Sequence, residues 1–100
     1  LVLSDYEIIY GKGLVGPEDG HSGSVETSRV MAIRPDLIKG KGKKGVNKIP
    51  KFTVLRHPEK HWKGVTGDPA KATKKKGEEL NELVIREIVN MVKDVREMEV

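Results

Sequence analysis

Apolar residues recur at intervals of three and four positions over the last third of the chain. They fall at Leu80, Val84, Ile88, Met91, Val92, Val95 and Met98. This spacing places the side chains on one face of an α-helix, and it predicts a terminal helix over about 69–98, with its start at Pro69 or Thr73. We interpret the apolar face as core packing rather than as a cofactor-binding surface.

The first third of the chain has no clean hydrophobic period. Residues 2–10 (VLSDYEIIY) mix aliphatic, aromatic and polar side chains in a short segment that ends at a glycine, which favours a strand. The glycines of residues 11–20 predict a loop. A helix is then expected, capped by one of residues 22–24 and ending near Arg34, because Pro35 disfavours helical backbone at the residue before it.

Two weaker segments join these helices. Residues 39–51 hold six lysines, three glycines and no acidic residue, which is typical of a mobile, solvated loop. Residues 52–55 (FTVL) predict a short strand. These elements do not close a domain, since a strand needs neighbours and an amphipathic helix needs a surface to cover. We expect the chain on its own to expose a sheet edge and an apolar face. A missing N-terminal half or a companion chain would cover both.

Composition narrows the class of protein. One hundred residues with 36% hydrophobic content make one modest domain. No segment approaches the roughly 20 apolar residues of a membrane span, and no signal peptide is recognisable, so we expect a cytoplasmic protein. The excess positive charge lies in residues 39–51, which lack arginine and aromatic residues, so nucleic-acid binding is the weakest of our hypotheses. Without cysteine, a metal would be bound by His, Asp or Glu, which favours zinc or manganese.

The candidate chemistry lies in residues 19–28 (DGHSGSVETS), where a glycine-rich loop leads into the predicted helix. His21 and Glu26 are five positions apart, about 140° around a continuous helix, so they converge only if His21 lies in the loop and Glu26 in the first helical turn. Two simpler interpretations stay open. Glu26 also suits the positive end of the helix dipole, and His21 and Asp19 are also ordinary polar turn residues.

The residues of this loop carry a family resemblance. Residues 19–28, followed by 31–37 (MAIRPDL), resemble the GHAGxxETS…LRPDL signature of the creatininase (creatinine amidohydrolase) family. Residues 64–69 (GVTGDP) and 72–78 resemble that family's GVxGDPxxAT…KGE segment. The resemblance covers the C-terminal portion of a family member only. It implies an α/β fold, with residues 1–100 as the C-terminal part of a three-layer α/β/α domain that is incomplete on its own.

The same resemblance implies a metal-dependent amidohydrolase that cleaves a non-peptide C–N amide bond in a small molecule. Its metal centre would be binuclear and its assembly a homo-oligomer, often a hexamer. His21 would be the catalytic proton-transfer residue, and Glu26 a metal ligand or its close neighbour. Ser22 and Ser24 depart from the signature, and we assign them to substrate binding. The principal metal-binding segments of the family lie upstream of the matched part, so we expect the isolated chain to be inactive.

Several other polar residues are assigned structural roles. His57 and His61 are four apart, but Pro58 argues against a helix that presents both on one face, so we place them at the surface or substrate rim. Trp62 is assigned to the pocket mouth or a subunit contact, and Asp68 to a helix cap. The alternative function is a non-catalytic oligomerisation or interaction fragment, and the sequence does not identify the substrate.

Overall fold

Three α-helices make up most of the regular structure. The computed structural model describes residues 4–11, 15–40, 42–48 and 54–98. Over these ranges it contains α1 (Asp5–Tyr10), α2 (Ser24–Ile33) and α3 (Lys74–Glu97). Single turns of 3-10 helix, each beginning at a proline, lie at Pro35–Leu37, Pro58–Lys60 and Pro69–Lys71.

Strands are absent from the part of the chain that the structure describes. An isolated antiparallel bridge between Gly45 and Gly67 is the only β-type pairing there. Of the strand predicted over residues 52–55, the first two residues lie outside the described ranges, and the other two form no regular secondary structure. The α/β character that we expected is therefore not confirmed by the described residues, which are mostly helical.

The strand predicted over residues 2–10 is wrong where the structure describes it, because α1 occupies most of that segment. The side-chain oxygen of Ser4 caps the helix by accepting a hydrogen bond from the Glu7 N–H at 3.2 Å. Tyr6 and Tyr10 lie one turn apart and stack, with their ring centroids separated by 4.6 Å. The segment is therefore helical, but it is too short for a helical period to be recognised in its hydrophobic pattern.

The N-terminus of α2 is capped by a side chain that precedes the helix. Gly23, one of the three expected capping residues, is the N-cap residue and contributes no side-chain bond. Asp19 instead accepts hydrogen bonds from the N–H groups of Ser24 and Val25, at 2.7 and 3.2 Å. As predicted, the helix ends just before Pro35.

α3 begins at the second of the two starts that the sequence offered. The side chain of Thr73 accepts a hydrogen bond from the Lys76 N–H at 3.2 Å and caps the helix. The helix does not extend back to Pro69, because residues 69–71 form a separate turn. Asp68 caps that turn, as predicted, by accepting a hydrogen bond from the Ala70 N–H at 3.1 Å.

α2 and α3 cross in close contact at Gly77. A Cβ atom added there would overlap the backbone carbonyl of Ser28, so only glycine fits. The Ser28 hydroxyl, which is fully buried, accepts a hydrogen bond from the Thr73 N–H at 3.0 Å. One turn further along, Arg29 donates from Nε to Asn81 Oδ1 at 2.7 Å, and Asn81 returns a bond to the Arg29 carbonyl at 3.2 Å.

The core is small, and α3 extends well beyond it. Its buried apolar residues are Ile8, Ile9, Val25, Leu80 and Val84. The C-terminal half of α3 continues the same hydrophobic pattern into solvent, since Val92 is 50% and Val95 60% exposed. The apolar face that we expected the chain to expose is therefore present on this helix. No helix in the described part of the chain is both long enough and apolar enough to cross a membrane.

The lysine-rich segment is attached to the fold at two points. Gly45 exchanges a pair of backbone hydrogen bonds with Gly67, both at 2.9 Å. The Lys48 N–H donates to the His61 carbonyl at 3.1 Å. Residue 41 and residues 49–51 of the predicted mobile loop lie outside the described ranges, and its mobility stays a prediction.

Candidate functional site

The loop before α2 is built around the buried carboxylate of Asp19. Besides capping the helix, this side chain lies within 3.4 Å of the Tyr10 hydroxyl, which donates to Oδ2. Burial and the neighbouring negative charge of Asp19 together raise the pKa of Tyr10 to about 12. Gly67 packs against Asp19 with φ +114°, a backbone conformation that favours glycine. Asp19 is thus a structural residue of the site rather than a free acid.

His21 and Glu26 converge as the sequence argument required. His21 lies in the loop and Glu26 in the first turn of α2, and their Nδ1 and Oε2 atoms are 4.0 Å apart. Both side chains remain accessible, with exposed fractions of 63% and 54%. Glu26 Oε2 also accepts a hydrogen bond from the Ser22 N–H. Ser22 itself has φ +56°, a left-handed conformation that turns the chain from His21 into the helix.

The second sequence motif meets the first at this loop. The Gly20 N–H donates to the Thr66 carbonyl, and the Thr66 N–H donates to the His21 carbonyl, both at 2.8 Å. These bonds join segments that are 45 residues apart in the sequence. Residues 64–69 therefore fix the position of the backbone at His21. The bridge between Gly45 and Gly67 continues the contact on the other side of the same segment.

Trp62 lies beside His21, a contact that sequence reasoning missed. The two rings meet edge to face, with centroids 5.6 Å apart and planes inclined at 60°. The indole N–H donates to the Val65 carbonyl at 3.0 Å and to the Thr66 hydroxyl at 3.1 Å. The signal in the sequence was the position of the only tryptophan, two residues before the second motif. No local pattern indicates that this motif returns to the loop.

A cavity of about 270 Å³ opens beside the paired side chains. His21 and Glu26 line it together with Tyr6 and Tyr10. Arg29 and Asp5 also line it and form an ion pair of 2.7 Å. The hydrogen bond from Arg29 holds the pKa of Asp5 below its ordinary value. The lining of the cavity therefore combines two aromatic rings with charged side chains, and its volume lies just below the range usual for ligand pockets.

The two predicted substrate-binding serines lie on different sides of the loop. Ser24 lines a second cavity of about 640 Å³, together with Lys44, Lys71 and Lys76. Ser22 is half-buried and meets Glu26 through its backbone N–H. No contact in the described residues assigns either hydroxyl to a substrate, and their role stays a prediction.

The other two histidines lie on the surface. His57 Nδ1 is 3.2 Å from a carboxylate oxygen of Glu59, and both side chains are 61% exposed. His61 follows the turn over Pro58–Lys60 and is also exposed. The turn that begins at Pro58 replaces the helix that would have aligned them.

The donor set around His21 tests the binuclear metal centre that the resemblance implies. Among the residues that the structure describes, no three His, Asp or Glu side chains cluster as metal ligands. His21 and Glu26 supply two donors, whereas protein metal sites of this kind use three or four. Asp19 does not add a third donor to such a cluster, and its carboxylate oxygens accept backbone N–H groups at the start of α2. The described residues therefore do not by themselves fit a binuclear centre.

Comparison with known proteins adds a family assignment to this geometry. The family model named creatininase, described as creatinine amidohydrolase, matches residues 11–92, which include His21, Glu26 and the second motif. No curated protein and no solved structure matched the chain. Creatininases are amidohydrolase-type proteins and are generally metal-dependent. Because the matched residues span most of the sequence, the chain belongs to the creatininase family.

Proposed function

We propose that the protein is a metal-dependent amidohydrolase that cleaves the non-peptide C–N amide bond of a small molecule. One observation carries the proposal: both motifs of the family meet at a single loop, where His21 faces Glu26 beside a cavity of about 270 Å³. Family membership supports the reaction class, and the size of the cavity supports a small substrate.

His21 has the role of proton-transfer residue in this proposal. In amide hydrolysis, the oxygen of water adds to the carbonyl carbon, the C–N bond breaks and the departing nitrogen takes up a proton. An imidazole that lines the cavity can take up the proton that the attacking water loses and deliver it to the departing nitrogen, provided that its own nitrogen comes within hydrogen-bond distance of both groups. Glu26, whose carboxylate oxygen lies 4.0 Å from the imidazole nitrogen, contacts the ring from the side of the cavity that both residues line.

We propose that the remainder of the site comes from residues outside those described here. Glu26 would serve as a ligand in a binuclear zinc or manganese centre once further ligands are present. The same upstream or companion sequence would supply the strands of a three-layer α/β/α fold and would cover the exposed residues of α3. Assembly into a homo-oligomer belongs to this proposal and is supported by that exposed face.

Variants of the histidines test the proposal. The protein, alone and together with the further sequence proposed above, is incubated with Mn²⁺ or Zn²⁺ and with creatinine or a linear formamide, and product formation is followed by NMR. We expect His21→Gln to lower the hydrolysis rate at least about 100-fold, the usual contribution of a general acid.

His57→Gln is the matched control, because His57 also faces a carboxylate but lies on the surface away from the cavity lining. It should keep close to full activity. Equal rates for His21→Gln and the unsubstituted protein would remove His21 from the mechanism. If neither form of the protein hydrolysed either amide, the interaction-fragment alternative would be favoured.

A further inference from the structure

The imidazole of His21 needs an external support. Its side chain is 63% exposed and stands on a loop, so free rotation about its side-chain bonds would spread it over several rotamers. Proton transfer requires one orientation, because a misplacement of about 1 Å can lower a rate 100-fold. Glu26 approaches the ring only through one nitrogen, at 4.0 Å, and does not fix its plane.

Trp62 provides the second contact. Its ring meets that of His21 edge to face at 5.6 Å, a geometry in which the positive edge of one ring faces the π-cloud of the other. The indole is itself held in place, since its N–H donates to both the Val65 carbonyl and the Thr66 hydroxyl. A ring fixed at its N–H cannot turn away from His21 without breaking these bonds.

Thr66 connects the two side chains. Its hydroxyl accepts the indole N–H of Trp62 at 3.1 Å, and its backbone N–H donates to the His21 carbonyl at 2.8 Å. Its carbonyl accepts a bond from Gly20, the residue before His21. One residue therefore fixes both the backbone of His21 and the ring that packs against its side chain.

We propose that Trp62 is a positioning residue for His21, which holds the imidazole towards Glu26 and the cavity. This inference rests on the proposed function, since positioning matters only if His21 transfers the proton. Trp62 does not line the cavity itself. It therefore acts through His21 and not as a catalytic residue.

The first test is spectroscopic and needs no activity. Trp62 is the only tryptophan, so its indole signals are unique in the NMR spectrum of the full chain, and His21→Gln identifies the His21 ring signals. We expect cross-relaxation between the two rings, and a ring-current shift of the His21 protons that is lost in Trp62→Leu and partly kept in Trp62→Phe. Unchanged His21 signals in Trp62→Leu would overturn the proposal.

A milder variant guards against misfolding of the tryptophan variants. Thr66→Val removes one acceptor of the indole N–H but keeps the backbone bonds to residues 20 and 21, whereas Thr66→Ser keeps the hydroxyl. We expect the indole N–H signal and the His21 shift to change in Thr66→Val and not in Thr66→Ser. Identical spectra for the two variants would contradict the role assigned to Thr66.

Kinetics then separates this inference from the proposed function. In the active protein, Trp62→Leu should lower kcat about 10- to 100-fold with KM within about twofold, and Trp62→Phe should recover part of the loss. If His21→Gln abolishes hydrolysis while Trp62→Leu leaves kcat unchanged, only the positioning role fails. If the ring contact is observed but His21→Gln stays active, the proposed function fails and the contact is structural.

Discussion

Asp19 and Tyr10 illustrate how one buried carboxylate organises the loop. Asp19 accepts two N–H groups from the start of α2 and the hydroxyl of Tyr10, so it joins the first helix to the second. A capping carboxylate is further favoured by the positive end of the helix dipole. The phenol of Tyr10 lies beside a negative charge in a poorly solvated place, and ionisation there is opposed by both effects.

This environment predicts a loss of stability at high pH. The pKa of Tyr10 is about 12 in the folded chain, above its ordinary value of 10. The stabilisation that the shifted pKa of Tyr10 contributes to folding is therefore complete below pH 10 and is lost as the pH rises from 10 to 12. Between these two pH values, unfolding releases up to about one proton from this residue. In Tyr6→Phe, whose only tyrosine is Tyr10, phenolate absorbance should rise near pH 12 in buffer and near pH 10 in urea.

Tyr10→Phe is the control for stability. Its free energy of unfolding should fall less between pH 9 and 11 than that of the unsubstituted chain, because it lacks the shifted phenol. If both chains lost stability equally over this interval, the hydrogen bond to Asp19 would not hold in solution.

At the scale of helices, the contact between α2 and α3 depends on a missing side chain. Gly77 lies within the first turns of α3, where glycine costs about 1 kcal/mol relative to alanine. Its backbone lies directly against the Ser28 carbonyl, and the buried Ser28 hydroxyl binds the cap of α3. Glycine at position 77 thus lowers the helix propensity of α3, but it permits the close crossing of the two helices.

Gly77→Ala is therefore expected to destabilise the chain, although alanine is the better helix former. Overlap with backbone atoms cannot be relieved by a rotamer change, so we expect a cost of about 1–3 kcal/mol in urea unfolding. Asn90→Ala, at an exposed position of the same helix, should instead be neutral or stabilise by a few tenths of a kcal/mol. Stabilisation by both substitutions would mean that the helices do not cross at Gly77.

At the scale of the whole molecule, α3 divides into a packed half and a free half. Val84 is 6% exposed and belongs to the core, whereas Val92, two turns further on, is 50% exposed. The two residues have the same side chain on the same helix. The cost of replacing each valine by alanine therefore measures how far the apolar face is covered at that position.

Val84→Ala should cost about 2 kcal/mol in the isolated chain, from lost apolar burial and the cavity left behind. Val92→Ala should cost less than about 0.5 kcal/mol, as is usual for an exposed substitution. Chemical denaturation followed by circular dichroism measures both. Equal costs would show that the C-terminal half of α3 is covered in solution.

The sequence predicted some parts of this molecule well because their signals are local. The helix over 24–33 ends where Pro35 requires it, and Asp68 caps a turn whose first residue is proline. α1 was missed because six residues show too little periodicity to separate a helix from a strand. The start of α3 was ambiguous for a related reason, since Asp68 and Thr73 are both good caps.

The site was predictable only in part. The sequence allowed His21 and Glu26 to converge only if His21 lies before the helix, and the structure places it there and brings the two side chains to 4.0 Å. The contact between His21 and Trp62 depends on chain segments about 40 residues apart, and no local pattern encodes such a return. The capping role of Asp19 was missed for another reason, because its N–H partners Ser24 and Val25 lie five and six residues further on, beyond the usual spacing of two or three.

The bonds of Gly20 and His21 to Thr66 bear on how such a protein diversifies. All of them are made by main-chain atoms, which nearly every amino acid carries. A substitution at Ser24, whose side chain makes none of these bonds, therefore leaves the alignment of the two motifs intact. The side chains of the loop can thus change in a lineage while the backbone placement of His21 is inherited unchanged.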